Sequence, residues 1–190
     1  MANRWSDQMY DHELVVVRGP APQHRLEYFA PRATGVEYIR GSVISAKDDG
    51  SIQLGCPVGT AGNRPMPMFA IQGTADLDAY TDEYNTSVGV QSAVVATGGF
   101  EVATTEFDAT ATYKVNDLLT CDENGKVVKA TGDAYGSEVI VGVCSIARSA
   151  SGVQNTIGVQ TTNSYGKALL TFWTVYLPAA AEAAPESASL

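Results

Sequence analysis

The chain has 190 residues, of which 45% are apolar and 17% are charged, and its net charge is −9. A chain of this length suits one domain with an attached segment, and it can bury a core without disulfides or metals. An acidic protein repels phosphate backbones and anionic lipid, which argues against nucleic-acid and membrane partners. Valine and threonine each outnumber leucine, so the composition favours β-strands over helical bundles.

Residues 1–35 have the composition of an extended arm. The segment combines aromatic side chains and arginines with several prolines, and closely spaced prolines disfavour a helix. Only residues 14–17 are predicted to form a strand. Aromatic and arginine side chains without a periodic apolar pattern are typical of a segment that packs on another surface. An irregular leader folded onto its own domain is an equally open alternative. The residues expected to contact a partner are Trp5, Tyr10, Arg18, Arg25, Tyr28, Phe29 and Arg32.

Residues 36–177 are predicted to form an all-β body, either a small barrel or a sandwich, because short strands and glycine turns recur along them. If the body holds two β subdomains, they span residues 36–93 and 94–177. The Asp-Gly pair at residues 49–50 favours a hairpin between the strands on either side. The acidic residues 75–87 are expected to form a surface loop or one short helix. Other strands of the first half are expected at residues 68–73, 90–96 and 100–104.

The clearest hairpin lies at residues 113–129. Asn124 and Gly125 are expected at its tip, since Asn-Gly is the strongest short-range hairpin signal. A continuous apolar strand is predicted at residues 139–146. Two further strands are expected at residues 157–161 and 167–177. The low-complexity residues 178–190 are expected to form a mobile tail.

The last predicted strand contains Phe172, Trp173 and Tyr176 within five residues. Alternation along a strand places Trp173 on one face and the other two aromatics on the opposite face. One face can fill a core, whereas large aromatics on the second face favour a partner surface. These three residues are therefore candidates for a homo-oligomer interface. A strand buried on both sides within one chain is the alternative.

The sequence contains no recognisable catalytic or metal-binding pattern. The two histidines, His12 and His24, lie in the proline-rich segment and match neither a catalytic triad nor a metal-ligand spacing. Cys56, Cys121 and Cys144 are widely spaced and odd in number, so they are expected to be small buried side chains in a reducing compartment. The N-terminus lacks the apolar region of a signal peptide. We therefore expect a non-enzymatic protein without cofactor or metal, made in the cytoplasm.

The predicted hairpin and the strand after it contain Tyr113, Asp117-Leu118-Leu119, Asn124-Gly125-Lys126-Val127-Val128 and Ala130, followed by Val139-Ile-Val-Gly-Val. Through this motif, residues 113–131 and 139–144 resemble the head decoration (capsid cement) proteins of tailed phages. That resemblance implies a small all-β body that forms a symmetric homodimer or homotrimer. It also implies a virion protein, made in the host cytoplasm, that binds the major capsid protein on the outer capsid surface and bridges neighbouring subunits. The arm residues named above would then be the capsid contacts.

Two other functions stay open at this point. A virion fibre or a surface carbohydrate-binding β-module would need exposed aromatic side chains along a groove, because rings stack on sugars. The candidates for that role are Tyr80, Tyr84, Tyr135 and Tyr165. An enzyme would need two of the chain's acidic side chains to converge in a pocket, and the sequence singles out no such pair.

Overall fold

The computed structural model describes residues 12–19, 27–29, 38–47, 49, 51–57, 65–70, 91–95, 99–131, 139–149, 152–153, 162–163 and 165–177. These residues form strands and turns and include no helix, as the composition predicted. Accordingly, no helix in this part of the chain could span a membrane. The strands are β1 (Leu14–Arg18), β2 (Glu27–Phe29), β3 (Val43–Ala46), β4 (Ile52–Leu54), β5 (Met68–Ala70), β6 (Gln91–Val95), β7 (Glu101–Thr104), β8 (Leu118–Cys121), β9 (Val127–Lys129), β10 (Ile140–Cys144), β11 (Arg148–Ser149), β12 (Gly152–Val153) and β13 (Leu170–Leu177).

The described strands form two large antiparallel sheets and one small ribbon. The larger sheet has the order β1-β7-β13-β10-β8-β9, and the second has the order β2-β6-β5-β3-β4. Strands β11 and β12 pair as the ribbon, and Arg148 of β11 also forms an isolated antiparallel bridge with Tyr113. Neither sheet closes on itself among the described strands, so the body resembles a sandwich and the barrel alternative is not what these residues form.

Local turn chemistry explains the two hairpins that the sequence predicted. Strands β3 and β4 pair around the Asp-Gly turn, where Asp49 Oδ1 accepts hydrogen bonds from the backbone N and hydroxyl of Ser51 at 2.9 and 2.6 Å. Strands β8 and β9 pair around the Asn-Gly turn. There Asp122 Oδ1 accepts from the backbone N of Asn124 and of Lys126 at 2.9 and 2.8 Å. Both predicted hairpins are confirmed.

One apolar core lies between the two large sheets. Phe69 on β5 and Phe172 on β13 meet across it, with ring centroids 5.6 Å apart. Val43 from the five-stranded sheet and Val102 and Leu119 from the six-stranded sheet are fully buried in the same cluster. Because both sheets contribute to this cluster, they form one packed body.

The strands near the N-terminus correct the predicted boundary at residue 36. Strand β1 pairs with β7 in the six-stranded sheet, and β2 pairs with β6 in the five-stranded sheet. These two parts of the predicted arm are therefore sheet strands, because each pairs with a strand far along the chain. Four of the predicted contact residues lie outside the described residues, namely Trp5, Tyr10, Arg25 and Arg32. The same is true of residues 75–87, 157–161 and 178–190.

Candidate functional site

The structure separates the three aromatic residues predicted to form an oligomer interface. Phe172 is 0% exposed and faces the core, so its assignment to an interface is wrong. Phe172 and Trp173 lie on opposite faces of β13, as predicted, but the face that carries Phe172 is the one that packs against Phe69. Trp173 points to the opposite face and is 38% exposed. Tyr176 lies in β13, and its side chain is outside the described residues.

Trp173 belongs to a line of residues that crosses the outer face of the six-stranded sheet. Arg18 and Trp173 are both paired with Glu101, one from each side. Val143 on β10 is paired with Trp173 and with Leu118 on β8. Paired residues of antiparallel strands project to the same face. We name these five residues, Arg18, Glu101, Trp173, Val143 and Leu118, the outer row.

The outer row combines one exposed cation with an apolar surface. Arg18 Nε lies 3.0 Å from Glu101 Oε2, with the Arg18 side chain 68% exposed and that of Glu101 only 5% exposed. The guanidinium thus compensates the buried carboxylate and still presents positive charge at the surface. Val143 and Leu118 are half-buried beside Trp173. Aromatic residues and arginines of this kind are enriched at protein interfaces.

Polar contacts hold the start of β1 to the body. His12 Nδ1 and Oε1 of the buried Glu106 are hydrogen-bond partners. The backbone N of Glu13 donates to Thr105 Oγ1 at 2.9 Å, and the backbone N of Thr105 donates to the carbonyl of Glu13 at 3.1 Å. From the sequence, His12 was tested only as a catalytic base or a metal ligand, and it matched the pattern of neither. Its contact with Glu106 could not be found from spacing, because the two residues lie on distant parts of the chain.

The residues of the phage-protein resemblance form a connected unit. Asp117 Oδ2 accepts a hydrogen bond from the backbone N of Lys114 at 2.7 Å and lies 2.8 Å from Lys129 Nζ. Burial opposes ionisation of Asp117, but the hydrogen bonds from Lys129 and Lys114 hold its pKa below its usual value. The backbone N of Cys144 donates to the carbonyl of Asp117 at 2.9 Å. Asp117 therefore joins the start of β8 to β9 and β10.

Tyr113 and Arg148 form a buried polar centre beside this hairpin. The Tyr113 hydroxyl donates to the carbonyl of Asp108 at 3.0 Å, and burial raises the pKa of Tyr113. Arg148 lies over the Phe107 ring, 5.1 Å from its centroid, and its Nη1 donates to the carbonyl of Leu169 at 3.1 Å. Burial lowers the pKa of Arg148. These contacts secure the two-stranded ribbon to the body.

The remaining predicted contact residues are only partly described. Tyr28 and Phe29 lie in β2, and their side chains are outside the described residues. The positions not described at all are Trp5, Tyr10, Arg25 and Arg32, and likewise Tyr80, Tyr84 and Tyr135. Tyr165 is described and is 54% exposed. The structure thus brings together Arg18 and Trp173, which the sequence had assigned to different contacts.

Among the described residues, no group of three or more histidine, cysteine, aspartate or glutamate side chains could hold a metal ion. No protein-family model matches the chain, and neither a curated protein nor a solved structure matches it.

Proposed function

We propose that the chain is a structural protein of a tailed-phage virion, one that binds the outer surface of the assembled capsid. In this role it stabilises the head by bridging neighbouring major capsid subunits. The observation that carries the proposal is the likeness of residues 113–131 and 139–144 to head decoration proteins.

The structural setting of those residues supports the proposal. Strands β9, β8 and β10 are neighbours in one sheet, and the turn before β8 is tied to both of the others through Asp117. Gly125 at the hairpin tip accepts a hydrogen bond from the backbone N of Val43 at 2.7 Å. The motif thus forms a packed unit that reaches both sheets.

The outer row supplies a described surface for the proposed contact. Trp173 offers apolar area, and the Arg18 guanidinium can pair with a carboxylate of the capsid protein. A single exposed ion pair contributes only about 0–1 kcal/mol. Many copies on a symmetric shell act together, however, because each bound copy raises the effective concentration of further contacts. Weak individual contacts are therefore sufficient for a protein that bridges capsid subunits.

Co-sedimentation with purified, expanded heads of the phage that encodes the chain tests this proposal. We expect saturable binding and release of DNA from decorated heads at a higher temperature than from bare heads. The double variant Arg18→Ser/Trp173→Ser should bind at least tenfold more weakly, since interface arginines and tryptophans are frequent hot spots. The matched control Tyr165→Ser removes an exposed aromatic outside the outer row and should bind like the original protein.

Two results would overturn the proposal. One is the absence of saturable binding to heads by the full chain at micromolar concentration. The other is binding to a glycan array that Tyr165→Ser abolishes, which would favour the carbohydrate-binding alternative. A melting curve of each variant establishes that a loss of binding is not a loss of fold.

A further inference from the structure

Two of the three cysteines meet in the folded protein although they are far apart in the sequence. Cys56 directly follows the turn after β4, and Cys121 is the last residue of β8. A Cβ atom at Gly55 would lie 2.7 Å from the carbonyl oxygen of Asp122 and 3.7 Å from Cys121 Sγ. The two backbones therefore pass each other in van der Waals contact. Cys56 belongs to the main core cluster, and Cys121 packs against it.

The thiols themselves are in contact. The side chain of Cys121 is a hydrogen-bond partner of the Cys56 thiol, and this contact together with burial raises the pKa of Cys56. The third cysteine has a different neighbour, because Cys144 Sγ lies 3.1 Å from the carbonyl oxygen of Ile146. All three residues are thiols in this structure.

We propose that Cys56 and Cys121 are a modification site that forms a reversible intramolecular disulfide when the protein meets a peroxide oxidant. A disulfide needs two cysteines whose Cα atoms are within about 7 Å. Gly55, which precedes Cys56, lies against the carbonyl of Asp122 and the Sγ of Cys121, so the two chain segments run side by side at the cysteines. Burial of Cys56 and partial exposure of Cys121 assign different roles to the two thiols. This inference is independent of the capsid role proposed above.

The reaction proceeds in two balanced steps. The sulfur of the more accessible Cys121 attacks one oxygen of hydrogen peroxide, which yields a sulfenic acid and one water. The sulfur of Cys56 then attacks the Cys121 sulfur and expels hydroxide, which leaves as water with the Cys56 proton. Overall, two thiols and one peroxide give one disulfide and two waters, and two electrons pass from sulfur to oxygen. The protonated state of Cys56 at neutral pH makes the second step slow, so the yield should rise with pH.

The disulfide would connect the two large sheets. It would link Cys56, two residues after β4 in the five-stranded sheet, to Cys121 at the end of β8 in the six-stranded sheet. A covalent loop of about 65 residues restricts the unfolded chain, which stabilises the folded state. For a protein of this size we expect the melting temperature to rise by roughly 5–10 °C.

The test compares the full chain after reduction and after treatment with hydrogen peroxide. Each sample is denatured, alkylated and analysed by mass spectrometry. We expect the oxidised chain to lose two hydrogens, to retain one alkylatable thiol at Cys144, and to give a linked peptide pair containing Cys56 and Cys121. Its melting temperature should rise and should return to the original value after reduction.

Variants separate this pair from other outcomes. Cys144→Ser is the matched control and should form the same disulfide with the same rise in melting temperature. Cys121→Ser removes the half-buried partner, so neither the disulfide nor the rise in melting temperature should be seen. Cys56→Ser removes the buried partner and should give the same result. Three alkylatable thiols after peroxide treatment would overturn the inference. So would a linked pair that contains Cys144, a disulfide between two chains, or oxidation of Cys121 to a sulfinic acid.

Discussion

Gly125 lies where the β8–β9 turn meets the five-stranded sheet. Its φ of +72° falls in the left-handed region that favours glycine, and its backbone N donates to the carbonyl of Asp122 at 3.1 Å. A Cβ atom at this position would lie 2.5 Å from the carbonyl oxygen of Val43 and 3.0 Å from Leu54 Cδ2. The residue is therefore constrained by its conformation and by the neighbouring sheet.

We expect Gly125→Val to lower the free energy of unfolding by about 3 kcal/mol or more. Left-handed backbone costs a residue with a side chain roughly 1–2 kcal/mol, and the contact with Val43 adds a packing penalty of about 1–3 kcal/mol. Gly99→Val is the matched control, since Gly99 has a φ of +80° but open space around it. Chemical denaturation measures both variants. Equal losses at the two positions would show that contact with the second sheet contributes nothing.

Asp117 makes the folded protein less stable at acid pH. A carboxyl whose pKa is lowered by folding stabilises the protein above its unfolded-state pKa of about 3.9, and that contribution disappears as pH falls through the folded-state pKa. Asp117→Asn should therefore be less stable than the original protein by about 1 kcal/mol at pH 7, because Lys129 is partly exposed. The difference should shrink below about pH 4. Lys114→Gln keeps the backbone donor and removes only the smallest of the charge effects on Asp117, so it should change the pH dependence much less. Urea titrations from pH 2 to 7 measure both variants.

Strand β1 depends on contacts that lie outside its own sequence. His12→Ala leaves the buried Glu106 carboxylate without its histidine partner, and we expect it to cost about 2 kcal/mol. Because the contact lies at one end of β1, hydrogen exchange of the Leu14 and Val16 amides should become faster. The double variant His12→Ala/Glu106→Gln should recover part of the loss. Unchanged exchange in His12→Ala would mean that pairing with β7 alone holds the strand.

Strands β10 and β13 fit together because Gly142 leaves space for an aromatic ring. A Cβ atom at Gly142 would lie 2.4 Å from Phe172 Cδ2 and 3.0 Å from the carbonyl oxygen of Trp173. Gly142→Ala should therefore lower the free energy of unfolding by about 1–3 kcal/mol. If the ring is the obstacle, Gly142→Ala combined with Phe172→Leu should lose less than the sum of the single losses. Additive losses in chemical denaturation would contradict this explanation.

The hairpins could be predicted from the sequence because the residues that determine a tight turn are adjacent in the chain. The partners of β1 and β2 could not, since β7 and β6 lie far along the sequence and no turn connects them. The face of Phe172 was ambiguous for a related reason. Both faces of β13 carry large side chains, and only the position of Phe69 on the other sheet decides which face is buried. The pairing of Arg18 and Trp173 around Glu101 likewise required the strand order.

At the scale of the whole molecule, β1 lies within the predicted arm, so a deletion of the arm would also remove a strand of the body. Deleting residues 1–19 would remove β1 and leave β7 as a sheet edge with Val102 and Glu101 uncovered. A truncated protein that failed to bind capsids could then have failed because its body was damaged. Substitution of the exposed Trp173 leaves β1 paired with β7, whereas Arg18 also compensates the buried Glu101 carboxylate, so Trp173 is the better position for separating binding from folding.

Self-association of the free protein through the outer row is the last prediction, and it competes with capsid binding because both contacts would use Trp173. The net charge of −9 makes two copies repel each other, so contact must come from apolar area around Trp173. Added salt screens this repulsion and should strengthen association, whereas contact dominated by Arg18 pairing with a carboxylate would weaken with salt. Because buried interface tryptophans often contribute about 2 kcal/mol or more, Trp173→Ser should raise the dissociation constant by roughly 30-fold or more. Tyr165→Ser should leave it unchanged. Analytical ultracentrifugation over a range of concentrations measures both, and a monomeric mass for the original protein at high micromolar concentration would contradict the prediction.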